Sequence, residues 1–177
     1  MGYIESNLMP NEQVLYKAKV HPAVFLRAIF GLLFSGLLLI YYFYILGTIN
    51  KEFQATQQVS DINGVMAFFV LFLVVFMLFV TLLLGIQAWL TLKMTEFGVT
   101  DKRVIAKVGF IRRHTIEILL SKIESVGIHQ GITGRVLGFG TITITGTGGT
   151  KERFYSIDEP LNVRKIINQV IEDSQSK

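Results

Sequence analysis

Two long apolar runs divide the chain into a polar head, a pair of uncharged segments and a tail of alternating residues. Residues 62–92 are thirty-one positions without Asp, Glu, Lys or Arg. A helix of that length reaches roughly 46 Å, and the hydrocarbon core of a bilayer is only about 30 Å thick. A core helix of a soluble protein would be shorter and would carry a polar face. The run therefore reads as a membrane span. Residues 28–49, just after Arg27, form a second uncharged run of twenty-two. Tyr41, Tyr42 and Tyr44 gather at its far end, where amphipathic rings suit the headgroup layer. Gly31 and Ser35 stand four apart with Gly36 beside them, a small-residue spacing that lets another helix approach closely.

The flanks follow other periods. In residues 13–20, Val14, Tyr16, Ala18 and Val20 share one face of an extended strand, and Pro22 ends it. A strand is unstable alone, and a two-span hairpin returns the chain to the same side. This segment is therefore expected to join a sheet formed after residue 93. There the composition changes to short alternating runs. Residues 93–99 lead into the turn-like Thr100-Asp101-Lys102-Arg103. Val104, Ala106, Val108 and Phe110 follow, then Ile116, Ile118 and Leu120, then Val126 and Ile128, then Ile142 and Ile144 between threonines. Short strands at this spacing predict an antiparallel barrel or sandwich. Gly146-Thr147-Gly148-Gly149-Thr150 reads as a hairpin loop with glycines at positive φ, and Gly138-Phe139-Gly140 as a bend or bulge. Val163, Ile166, Ile167, Val170 and Ile171 then make one stripe of an amphipathic helix, started by Asp158 and Pro160. That helix is expected to plug an open end of the barrel.

The expected layout is a cytoplasmic segment at 1–22, a first span at 23–49, an external loop at 50–61, a second span at 62–92 and a cytoplasmic domain at 93–177. Orientation follows from charge. The loop holds one basic residue, against three in residues 1–27 and thirteen in residues 93–177. Basic residues favour the cytoplasmic side, so both termini are expected there. The chain of 177 residues is 51% hydrophobic and 17% charged, with a mean hydropathy of +0.50 and a pI near 9.4. With no cysteine, disulfides, thiolate metal sites and cysteine nucleophiles are excluded.

Little in the sequence points to catalysis. His21, His114 and His129 are far apart, without carboxylates at ligand spacing, so no metal site is expected. Glu117 and Glu124 sit in strand-like runs among lysines and arginines and read as solvated charges. The glycine loop lacks the Gly-Lys-Ser/Thr ending of a phosphate-binding loop. The basic residues are dispersed and lack interleaved stacking aromatics, which argues against nucleic acid. The spans hold no ionisable residue, which disfavours ion coupling within them.

Residues 93–171 resemble a known family. The resemblance rests on Thr-Asp-Lys-Arg-Val-Ile at 100–105, Gly109, Arg113 and Glu117-Ile118 with Leu120. It continues through Ser-Lys-Ile-Glu-Ser-Val at 121–126, Gln130, Gly-Arg-Val-Leu-Gly-Phe-Gly-Thr-Ile at 134–142, Gly-Thr-Gly-Gly at 146–149, and Ile-Asp-Glu-Pro at 157–160 with Arg164. In that order these residues resemble the bacterial pleckstrin-homology (PH)-like domains, second bacterial class, often attached to membrane spans. The resemblance implies a split barrel of about seven strands capped by a C-terminal helix, no agreed activity, and a tendency to oligomerise. The expected whole is a two-span α-helical hairpin plus a mainly-β PH-like split barrel in a bacterial inner membrane. It is expected to be non-enzymatic and without cofactors, a homo-oligomer contacting membrane lipid and a membrane protein partner. The alternative is an accessory subunit of a transport or envelope-stress complex. Candidate anionic-lipid contacts are Lys102, Arg103, Arg112, Arg113, Lys151 and Arg153, all in or beside expected turns.

Overall fold

The computed structural model describes residues 2–56, 61–109 and 114–175. The chain divides into two units, one made of residues 1–24 with 90–177, the other of residues 25–89.

The first unit holds the β structure. A short helix α1 (Tyr3–Ser6) precedes strand β1 (Val14–Ala18). After the insertion come β2 (Glu96–Thr100), β3 (Arg103–Val108), β4 (His114–Leu119), β5 (Ile123–His129), the short helix α4 (Ile132–Leu137), β6 (Phe139–Gly146), β7 (Lys151–Asp158) and the terminal helix α5 (Pro160–Gln175). Helices α2 (Leu26–Thr56) and α3 (Asp61–Met94) are the insertion itself. The strands form two antiparallel sheets, in the orders β1-β2-β3-β4 and β5-β6-β7.

Period-two alternation builds the core. In the first sheet Ala18, Phe97, Ala106 and Ile116 stand in one cross-strand row, and Tyr16, Val99, Val104 and Ile118 in the next. The second sheet contributes Ile142, Ile144, Phe154 and Ile157, all fully buried or nearly so. The rings of Phe97 and Phe154 meet edge to face at 4.8 Å and tie the two sheets together. Val163 and Ile167 of α5 complete the same core, with Val170 and Ile171 packed against it. Pro160 opens α5 at its first helical position, where the missing amide costs nothing.

The expected pairing of the N-terminal strand is present. Ala18 lies opposite Phe97 and Tyr16 opposite Val99, and Val20 bridges to Ile157 of the other sheet. The N-terminal segment does more than lend a strand. The amides of Tyr3 and Ile4 donate to the Glu96 carboxylate at 3.0 and 3.2 Å. Ile4 is fully buried over Gly98, where a Cβ would come within 2.8 Å of its side chain. The glycine loop at 146–150 is the expected hairpin between β6 and β7, with Gly148 and Gly149 at φ of 94° and 80°.

The second unit is two helices, α2 (Leu26–Thr56) and α3 (Asp61–Met94). Both outrun the expected spans, and residues 50–56, expected in the loop, are helical. Lys51, Glu52, Gln54 and Ala55 are strong helix formers, and nothing there breaks the turn. Asn63 donates to Glu52 at 2.5 Å and links the polar ends of the two helices. Ile45 packs with Ala67, Val70 and Val74. Gly31 is turned toward Thr81, whose hydroxyl would lie 2.6 Å from an added Cβ, and Ser35 is buried. The small residues of the first helix are thus used inside the hairpin, while Gly36 stays open. By length and composition both helices are apolar enough to cross a membrane; only 6% and 22% of their most apolar windows are buried.

Removal of residues 1–19 would strip β1, Ile4 and their hydrogen bonds from the first sheet. The expected result, in limited proteolysis of the detergent-solubilised chain, is rapid cleavage between residues 96 and 119. Protection equal to that of the full chain would show that β2, β3 and β4 hold without β1.

Candidate functional site

The turn expected at 100–103 joins β2 to β3, and it is the place where ionisable groups converge. Glu12 and Arg103 are buried there despite their charges, with side chains 0% and 6% exposed. Arg103 Nε and Nη2 each donate to one Glu12 carboxylate oxygen at 2.9 Å, a bidentate fork. Nη2 also donates to the Asn7 carbonyl at 2.9 Å, and Nη1 donates to Glu117, whose side chain is part-exposed. The Met9 amide donates to Glu12 at 2.6 Å. The Thr100 hydroxyl reaches Glu12 at 2.8 Å and accepts from the Arg103 amide at 3.0 Å. Among the described residues no buried side-chain polar atom is left without a partner.

Burial pushes the Glu12 carboxyl up, but Arg103, the Met9 amide and Thr100 outweigh it and hold the pKa down at about 2. These groups are spent on one another. The cluster is a clamp between the segment before β1 and the β2–β3 turn.

Arg103 is therefore withdrawn from the basic residues expected to face lipid, because a guanidinium forked onto a buried carboxylate is not free to reach outward. Lys102 is exposed and its ammonium donates to the Pro10 carbonyl at 3.1 Å. Arg112 and Arg113 lie outside the described residues. Lys151 and Arg153 are brought together: both are exposed, at alternate positions of β7, so they share a face. Lys151 lies opposite Thr145 and Arg153 opposite Thr143, and these in turn oppose Ser125 and Gly127 of β5. The result is a polar outer face edged by two cations on a different sheet from Lys102.

The histidines remain apart. His21 accepts from the Ala23 amide at 3.0 Å and stacks on Phe139 with ring centroids 5.4 Å apart. His114 opens β4 and His129 closes β5, both exposed. Glu117 and Glu124 sit on different sheets. No group of three or more His, Asp or Glu able to hold a metal occurs among the described residues.

Sequence reasoning missed Glu12 as the partner of Arg103, since no local signal links residues 91 apart. It also missed α4, a six-residue helix that begins after Gly131 and ends at Gly138 with φ of 82°. The glycine that caps this helix also leads into β6, which is the bend the sequence suggested.

Two antiparallel sheets sharing one core with a C-terminal helix are compatible with a PH-like fold. The chain belongs to the bacterial PH domain family, whose model matches residues 26–171. The match takes in both apolar helices and begins after β1. Comparison with curated proteins and with solved structures gives no match.

The Glu12 carboxyl is lowered from an ordinary 4.5 to about 2 in the folded chain. A carboxyl lowered on folding contributes stability that is complete above its unfolded pKa and lost as pH falls through the folded one. Glu12→Gln is expected to cost about 3–5 kcal/mol at neutral pH, because it removes the buried countercharge of the guanidinium and leaves it only the part-exposed Glu117. In thermal melts of the detergent-solubilised protein, the gap between the two proteins should close between pH 4.5 and 2. A gap constant down to pH 2 would contradict the clamp.

Proposed function

We propose that this chain is a non-enzymatic protein of the bacterial inner membrane, whose PH-like domain stands on the cytoplasmic face and mediates self-assembly and contacts with protein or anionic lipid. One observation carries the topology. Strand β1 precedes the two apolar helices, β2 follows them, and the two strands are paired. An insertion whose ends are built into one sheet must leave and return on the same side, so a crossing by one helix requires a crossing by the other. The excess of Lys and Arg outside residues 50–61 favours the cytoplasm for that side.

The binding-module reading is supported by how the ionisable groups are used. Glu12 and Arg103 neutralise each other, while Lys151 and Arg153 face outward and are in no ion pair among the described residues. Each exposed cation near an anionic leaflet contributes about 1 kcal/mol. Self-assembly is supported by the family's tendency to oligomerise.

The chain has no cysteine, so single cysteines report location cleanly. In intact spheroplasts an impermeant maleimide is expected to label Gln54→Cys and to spare Gln175→Cys; labelling of the latter would overturn the topology. Native mass spectrometry from lipid nanodiscs is expected to release two or more chains together with anionic phospholipid. The double variant Lys151→Glu/Arg153→Glu should retain less of that lipid. A single chain without lipid selectivity would remove both the self-assembly and the lipid contact.

A further inference from the structure

The β-domain leaves one short element strongly apolar and uncovered. Ile132 and Val136 of α4 are 86% and 80% exposed, more than the large apolar residues of α2 and α3. They stand four apart and so share one side of the helix. Leu137 beside them and Leu161 at the start of α5 are also exposed. A soluble domain gains nothing from such a cluster, and a patch of this kind marks an interaction surface.

The position of α4 within its own unit says what covers it. Gly138 ends the helix, and the next residue, Phe139, stacks on His21. His21 immediately precedes Pro22, where the first stretch able to cross a membrane begins. The tie is reinforced on both sides. The His21 amide donates to the Ser156 carbonyl at 2.7 Å, and the Asp158 amide to the Lys19 carbonyl at 2.9 Å. The Glu159 amide donates to the Gly138 carbonyl at 2.9 Å. At the other end of α4, Gln130 donates its side-chain amide to the Phe139 carbonyl at 3.0 Å. Six helical residues span only about 9 Å, so every residue of α4 lies close to the point where the chain leaves the domain. The headgroup layer of one leaflet is itself roughly 5–8 Å deep.

We propose that α4 is a membrane wedge. Ile132, Val136 and Leu137 enter the boundary between headgroups and acyl chains beside the entry point of the first apolar helix, and Arg135 lies at the level of the lipid phosphates. The proposal rests on the membrane reading above. Charge favours lipid over a second copy of the chain as occupant. Arg135 sits among the apolar residues, and a two-fold contact centred on so short a face would bring its two copies near each other, like charge beside like charge. A phosphate layer accepts it. The cavity of about 400 Å³ beside the helix is lined by the apolar Pro160 and Leu161 together with Gln130, Arg135, Glu159 and Asn162, a mixed surface of the kind met at the boundary between headgroups and acyl chains.

The chain carries a single tryptophan, Trp89 in α3, and that makes the test clean. The full chain is reconstituted into phosphatidylglycerol-containing bilayers with bromine placed near the headgroup or near the acyl end. The wild-type protein reports Trp89; the variants Trp89→Phe/Val136→Trp and Trp89→Phe/Ile132→Trp report α4. The replaced positions are so exposed that neither change disturbs a core. The expected result is loss of most emission from either α4 tryptophan with shallow bromine and a much smaller loss with deep bromine. Quenching of Trp89 together with unquenched, red-shifted emission from α4 would place the helix in water and overturn the wedge. Unquenched but blue-shifted emission would place it against protein and overturn it equally. Failure of Trp89 itself to be quenched would sink the membrane reading, and the wedge with it.

Discussion

The structure depends on one pairing across a long gap. Ala18 and Phe97 face each other across the first sheet although about eighty residues separate them. Residues 25–89 between them are insertion. The entropic cost of closing a loop rises only slowly with its length, so two long helices are tolerated between paired strands. The kinetic consequence is larger. The first sheet lacks its β1 edge, and the domain its Ile4 cover, until both helices have been made and the chain has returned. Contacts of such sequence separation slow folding, and the first sheet is complete only once the chain has returned.

The clamp around Arg103 reinforces that pairing from one end. A buried ion pair is a poor source of net stability, since desolvation offsets most of the attraction. Its value here is positional. The fork onto Glu12, the bond to the Asn7 carbonyl and the bond to Glu117 join the N-terminal segment, the β2–β3 turn and β4 at a single guanidinium. A one-residue slip of β1 would turn its inward residues outward, and it would also drag Glu12 off the fork and strand two charges. Gln13 adds a local check, exchanging hydrogen bonds with Asp101 in both directions.

Periodicity made much of this legible. The two uncharged runs, the alternation of Val104, Ala106, Ile116 and Ile118, the stripe on α5 and the Gly148-Gly149 hairpin all follow from local chemistry, and each was found where expected. Three things were not legible, for separate reasons. Residues 50–56 read as polar loop, yet polarity does not stop a helix when the residues include Lys51, Glu52, Gln54 and Ala55. Strand β7 alternates weakly, because Ser156 carries a φ of 55° between its two buried residues, Phe154 and Ile157. Arg103 reads as a turn cation, since what buries it comes from another part of the chain. Of the basic residues singled out that are described, Lys151 and Arg153 are gathered by the fold on one face. Their spacing of two already implied it, once β7 is known to be a strand.

The covalent connections then set how strong any surface contact has to be. Helix α3 ends at Met94 and β2 begins at Glu96, and at the other side His21 is fixed to Phe139 immediately before Pro22. The domain is held by two short connectors, Thr95 on one side and residues 19–25 on the other. On the membrane reading, contacts between its surface and the bilayer are intramolecular in effect, and their local concentration is set by the tether and not by the cell. A free PH-like domain would need a deep, high-affinity headgroup pocket to stay at a membrane. A domain tied at both ends needs only a few weak contacts to choose among orientations. On the proposal above, a single apolar turn in α4 beside one connector would be contact enough for that task.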